Sequence, residues 1–134
     1  MNRTFKLTMI AGAVALLGAL PVSQVHGQGS APTVDPALAK KGRSMFASKG
    51  CNGCHSVGAG KRAGPDLAGV SERRDAEWLK KFLKDPPAML ATDSLAMAML
   101  VEYKNVKMPN MKLTDADIDA LLHYIAEETA KKKK

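Results

Sequence analysis

The chain has 134 residues, 46% of them hydrophobic and 4% aromatic, and a formal net charge of +7. That length supports one small domain with a thin core. The charge is unevenly placed: Lys131 to Lys134 hold four of the positive charges and Arg3 and Lys6 two more, so the body between is close to neutral. A near-neutral body with no basic stripe argues against nucleic acid as a partner.

In chain order, Met1 to Lys6 is basic and free of acids, and Leu7 to Leu20 is apolar and rich in small residues. Pro21 follows, and Val25-His26-Gly27 places small or modest side chains at the −3 and −1 positions of a cleavage site. This is the three-part grammar of a secretory signal peptide. The apolar run is shorter than the roughly 20 residues a spanning helix needs, which leaves an uncleaved anchor as the lesser alternative. Residues 1–27 are therefore expected to be removed on export to the periplasm, and His26 to leave with them. Residues 28–35 read as a flexible lead. Asp35-Pro36 is an N-cap followed by proline at the first helical position, opening a helix over about 36–49 that stops at Gly50.

Cys51-Asn-Gly-Cys54-His55 comes next and contains the only two cysteines of the chain. A Cys-x-x-Cys-His run is the covalent attachment site of a c-type haem. Two thiols add across the two vinyl groups of one porphyrin edge, and the spacing lets both reach. The adjacent histidine offers its imidazole to the iron. A thioredoxin-like redox pair would sit in a βαβ pattern, which is not visible. A zinc site would need two further ligands. A structural disulfide is the third alternative. Covalent haem also suits a chain so poor in aromatics, because a buried porphyrin supplies a large apolar body.

Ser56 to Ala68, with Gly58, Gly60, Gly64 and Pro65, is expected to be a loop. Asp75 caps a second helix, Ala76 to Lys84, with Trp78, Leu79, Phe82 and Leu83 on its apolar face, and Asp85-Pro86-Pro87 ends it. Thr92-Asp93 caps a third helix to about Lys104. Val106 to Lys112 is a second loop. Thr114 opens the last helix, with Asp115 and Asp117 at its positive end and an apolar stripe of Ile118, Leu121, Leu122 and Ile125. The domain is expected to end near 128, leaving 129–134 as a basic, solvated tail or a weak tether to anionic lipid. His123 falls opposite the apolar stripe and reads as exposed.

These signatures occur in the order found in class I (monohaem) bacterial cytochromes c, which the chain resembles over about residues 36–128. They are Gly42-x-x-x-Phe46, the Cys51 motif, Gly64-Pro65-x-Leu67, Met108-Pro109, and Leu113 to Ile118 leading to Tyr124-Ile125. The resemblance implies an all-α cytochrome c fold of about four helices around one covalent haem c, with Gly42 permitting a close crossing of the first and last helices. It implies that the Pro65 carbonyl accepts the second ring N–H of His55. Trp78 and Arg74 become candidates for hydrogen bonds to a haem propionate, beside their plainer roles in core and surface.

Six methionines beyond the leader compete for the second axial position. Met45, Met97 and Met99 sit at helical spacing, where methionine fills cores, and Met89 is a short route from His55. Met108 lies in an irregular loop before the final helix, as the family ligand does, and Met111 in the same loop is its rival. His/Met ligation fills both axial positions and raises the potential. The expected function is thus a monomeric periplasmic single-electron carrier, not an enzyme, serving membrane oxidase, reductase or dehydrogenase complexes. The alternatives are a cytochrome subunit of a larger redox enzyme, which an exposed apolar patch would favour, and a gas-binding haem protein with a labile Met108. Lys49, Lys61, Arg62, Lys104 and Lys107 are expected to form a positive docking rim at the haem edge.

Overall fold

A computed structural model describes residues 33–133. The expected leader, residues 28–32 of the lead, and Lys134 lie outside the described residues. Within them the chain is helical: α1 (Pro36–Ser48), α2 (Cys51–Cys54), α3 (Val70–Arg73), α4 (Ala76–Lys84), α5 (Pro86–Thr92), α6 (Ser94–Glu102) and α7 (Asp115–Lys132). The described residues hold no strand, only an isolated parallel bridge between Ser56 and Asp66. No helix described is long and apolar enough to cross a membrane.

The N-termini follow local chemistry. The Asp35 carboxylate accepts from the amides of Ala37 and Leu38, and that of Asp75 from Glu77 and Trp78. Thr114 and Asp117 form a reciprocal capping box at the head of α7, satisfying amides that have no partner inside the helix. The Pro86-Pro87 pair ends α4, as the sequence implies, but it also begins α5. Asp85 caps that new helix by accepting from the Ala88 amide, and prolines at its start need no amide partners. The expectation of about four helices missed α5 and the single turns α2 and α3.

α1 and α7 share the most extensive helix contact. Gly42 makes it possible. A Cβ there would lie 2.0 Å from the Ala120 carbonyl oxygen and 2.8 Å from the Tyr124 Cβ. Around the crossing, Phe46, Leu113, Ile118 and Leu121 form the buried core, and Phe46 meets Tyr124 at 5.3 Å between ring centroids. Arg43 lies over the outer face of Tyr124 at 5.0 Å and pairs with Glu127 and Glu128. His123 is half-buried, and its Nδ1 accepts from the Asp35 amide at 3.1 Å. It ties the start of α1 to α7.

The last helix does not stop at 128. Thr129 is buried; its hydroxyl donates to the Ile125 carbonyl at 2.7 Å and accepts from the Gly69 amide at 2.9 Å. Lys131 pairs with Glu127 and Glu128, and Lys133 with Glu72. The expected solvated tail is instead a helical end fastened to the domain, because its cations find acids on α7 and α3.

Gly42→Ala should destabilise the protein by about 3 kcal/mol or more, since the clash is with backbone that cannot repack. Ser44→Ala, on the exposed side of the same helix, should stay within about 0.5 kcal/mol. Denaturant midpoints of the two variants check this.

Candidate functional site

Lys49 caps the end of α1, and Gly50 takes a left-handed φ of 73° that turns the chain directly into α2. That single turn carries both cysteines. Cys51 faces inward and half-buried, Cys54 is exposed, and the two are not joined by a disulfide. Before haem attachment, burial holds the Cys51 thiol above its ordinary pKa. His55 follows in extended conformation, its amide donating to the Cys51 carbonyl at 2.9 Å.

The segment after His55 then doubles back along the motif. The Gly64 amide donates to the Cys54 carbonyl and the Leu67 amide to that of Ser56, both at 2.8 Å. This return brings the Pro65 carbonyl to 3.0 Å from His55 Nδ1. A carbonyl only accepts, so Nδ1 carries the hydrogen and Nε2 keeps a free lone pair. Gly64 lies against the ring: a Cβ there would be 2.6 Å from His55 Cε1. Any larger residue would displace the imidazole.

Asp66 anchors the returning loop. Its carboxylate accepts from the amides of Gly58 and Ala68, each at 2.8 Å, from Ser56 Oγ at 2.9 Å, and from the Gly60 amide. Burial works against the charged form, but these four donors outweigh it and hold the carboxyl at about 2. Arg73 reaches back to the Ala68 and Asp66 carbonyls.

Facing this wall is a cavity with two adjoining lobes of about 330 and 170 Å³. Cys51, His55, Pro65, Phe82, Met99, Tyr103 and Met108 line both. The larger lobe continues over Trp78, Leu79, Leu121 and Ile125 towards Arg73 and Arg74. The smaller continues past Cys54, Leu100, Val106 and Met111. At the mouth, Lys61 Nζ meets Glu102 at 2.6 Å and sits 4.5 Å from the Tyr103 ring centroid. This contact ties the loop after the cysteines to the end of α6.

Two observations test whether a porphyrin suits this space. Its lining is mostly apolar, with two thiols and one imidazole at one side. Trp78 stacks on Phe82 at 5.2 Å, and its Nε1 is buried with no hydrogen-bond partner. An orphaned donor is costly, and a propionate is the acceptor a haem would bring. The residues fit the group. Among the described residues, moreover, no three His, Cys, Asp or Glu are grouped to hold a bare metal ion, so the zinc alternative finds no further ligands there.

The structure brings Cys51, His55, Pro65, Trp78, Arg74 and Met108 to the larger lobe, and Cys54 to the smaller. Arg74 donates to the Arg73 carbonyl at 2.8 Å. Sequence reasoning missed Phe82, Met99, Tyr103 and the Lys61–Glu102 pair as cavity residues. Phe82 and Met99 carried only the ordinary helical core signal, and the ion pair joins positions far apart in sequence.

Fold and site together define a small all-helical protein that carries covalent haem c through Cys51 and Cys54. The chain belongs to the cytochrome c family, whose model, "Cytochrome c", matches residues 39–128. Among solved structures it resembles the cytochrome c of Rhodothermus marinus, with 25% identity, a TM-score of 0.68, and coverage of 74% of this chain and 83% of that one. It also resembles the cytochrome c domain of the pp3183 protein from Pseudomonas putida, at 44% identity and a TM-score of 0.60, covering 67% of this chain and 89% of that one. An engineered Rhodothermus marinus cytochrome c bound to a carbene intermediate matches at 24% identity, with a TM-score of 0.64 and coverage of 74% and 83%. No curated protein matches the chain. The class is the monohaem one, and its chemistry is haem-based electron transfer.

Two outcomes follow. Asp66 has a folded-state pKa below its unfolded value, so its stabilisation is present above about pH 4 and is lost as pH falls towards 2. Asp66→Asn should therefore cost about 1–2 kcal/mol at pH 7 after allowance for solvent screening. The deficit should shrink towards pH 2, as read by denaturant melts across pH. Trp78→Phe keeps the ring stacked on Phe82 but removes the donor. It should cost the haem-loaded protein about 1–3 kcal/mol; no loss would mean that Nε1 has no partner there.

Proposed function

We propose that the protein is a periplasmic single-electron carrier, exported by the leader at 1–27, with His55 and Met108 as axial ligands of its haem. The carrying observation is that His55 and Met108 both line both lobes of the one cavity that Cys51 enters. When bound, the haem supplies one-electron exchange between ferrous and ferric iron. The chain's residues hold and shield it. Cys51 and Cys54 fix one edge covalently. Pro65 orients His55 with Nε2 free and makes it a better donor. The Met108 thioether is neutral and favours the ferrous state. The Trp78 Nε1–H would donate to a propionate, and Arg74 lines the same lobe. Phe82, Leu121 and Ile125 exclude water.

Met111 is placed differently from Met108. It packs against the core of Phe46, Leu113, Ile118 and Leu121 and lines only the smaller lobe. Met99 does reach both lobes, from the inner side of α6, and is the stronger rival on geometry. The Met108 loop is held from both ends: Lys104, Asn105 and Lys112 have φ of 55°, 60° and 54°. Left-handed conformations at non-glycine residues cost on the order of 1 kcal/mol each, so the loop is set by its surroundings rather than by local preference. Were His55 and Met108 both to ligate the iron, no coordination site would be left for a substrate, as a carrier rather than an enzyme requires. Donor and acceptor would be respiratory redox complexes.

Met108→Ala should abolish the weak far-red sulfur-to-iron band of the oxidised protein, lower the reduction potential and open the iron to carbon monoxide. Met111→Ala and Met99→Ala should keep the band. If either of those removes it while Met108→Ala does not, the ligand assignment fails; rapid carbon monoxide binding by the unmodified reduced protein would favour the gas-binding alternative.

A further inference from the structure

We propose that Lys49 is a positioning residue for the second axial ligand: its ammonium straps the Met108 loop to the end of α1, beside the first haem-anchoring cysteine. This rests on the reading of Met108 as ligand and says what holds that sulfur in place. Of the five cations expected at a docking rim, Lys61 pairs with Glu102 and Arg62 donates to the Asn52 carbonyl. Lys49 is turned inward instead. It is half-buried, has no carboxylate partner among the described residues, and donates from Nζ to the Met111 carbonyl at 3.3 Å, across 62 positions of sequence. Lys49, Cys51, Met108 and Met111 all line the smaller lobe of the cavity.

The loop needs such a strap. From Lys107 to Leu113 no backbone amide or carbonyl bonds to another backbone group among the described residues. Lys104 and Asn105 before Met108, and Lys112 after it, are left-handed. Local preference therefore does not fix the path of this segment. Two hydrogen bonds reach it from other elements. Asn110 Nδ2 donates to Asp85 Oδ1 at 3.3 Å, in an exposed place where water competes. The Lys49 bond is part-buried, so water competes with it less. The two also fasten the loop to different things. Asp85 joins α4 to α5. Lys49 caps α1 two residues before Cys51, on the helix that Gly42 seats against α7. Between strap and sulfur there is little slack. Pro109 has a fixed φ, and the Asn110 side chain accepts from the Lys112 amide at 2.9 Å, closing a turn around Met111. What holds the Met111 carbonyl thus restrains Met108, three residues before it. Without the ammonium, the same thioether should leave the iron more often.

The test is displacement of the axial sulfur by imidazole in the haem-loaded ferric protein, followed in the visible spectrum by stopped flow. At high imidazole the rate levels off at the rate at which the native ligand departs. Lys49→Met keeps the stem and removes the ammonium. It should raise that limit about tenfold, through loss of one charge-assisted hydrogen bond. Lys49→Arg can still donate and should stay within about twofold of the unmodified protein. Lys40→Met removes the same charge from an exposed position on α1, and Thr129→Val loosens the opposite wall; neither should move the limit. An unchanged limit in Lys49→Met would overturn the proposal. So would an equal rise in Lys49→Arg, Lys40→Met or Thr129→Val, which would make the effect one of fit, net charge or general softening. Met108→Ala separates the strap from the ligand assignment, since it should show no levelling-off at all. If it levels off as the unmodified protein does, Met108 is not the ligand. If it does not, and Lys49→Met still behaves as the unmodified protein, the strap alone fails.

Discussion

The backbone contact at Gly42 governs the arrangement of everything around the cavity. Without a side chain there, α1 lies directly on α7 at Ala120 and Tyr124. That closeness lets Phe46, Leu121 and Ile125 serve both the helix crossing and the cavity wall. α1 runs into Gly50 and then Cys51, so the same crossing sets the height at which the first thiol enters the cavity. A displacement of the two helices would be transmitted to the attachment site through eight residues of chain, six of them helical and stiff.

The second constraint is electrostatic. Pro65 must hold its carbonyl against His55, yet the loop around it has no secondary structure of its own. Asp66, the next residue, supplies the anchor by gathering three amides and a hydroxyl from positions 56–68. Charge-assisted hydrogen bonds are about twice as strong as neutral ones, so one carboxylate stands in for a missing ladder. The end of α7 fastens the other side of the loop. Thr129 receives the Gly69 amide, the Lys132 methylenes lie against Gly58, and Lys133 pairs with Glu72. The basic end of the chain therefore bears on the orientation of His55, through contacts that composition alone does not suggest.

The opposite wall is built on other terms. α5 and α6 are apolar on both sides, and the Met108 loop is bracketed by left-handed Lys104, Asn105 and Lys112. One wall is thus locked by hydrogen bonds and the other held mainly by packing. Lys61, Glu102 and Tyr103 link the two walls at the mouth. Exposed ion pairs contribute little stability. This pair instead fixes where the loop after the cysteines meets the end of α6.

Chemistry written in adjacent residues was legible in the sequence. Cys51, Cys54 and His55 act through a fixed covalent spacing, and Asp35, Asp75 and Thr114 cap helices two or three residues away. The bounds of α4 and the cofactor class followed from such local rules. Tertiary structure decided what depends on residues distant in the chain. Pro86-Pro87 reads as a stop, although Asp85-Pro86 repeats the cap-and-proline start of Asp35-Pro36; packing against α4 and α6 holds the short α5 that it begins. Lys131 to Lys133 read as a solvated tail, because their acids at Glu72, Glu127 and Glu128 become partners only when α7 continues past Thr129. The orphaned Trp78 Nε1, the reach of Met99 to both lobes and the neutralisation of Lys61 by Glu102 leave no periodic trace. Each depends on where two separately encoded segments meet, and a sequence specifies the segments' local geometry far more directly than their meeting.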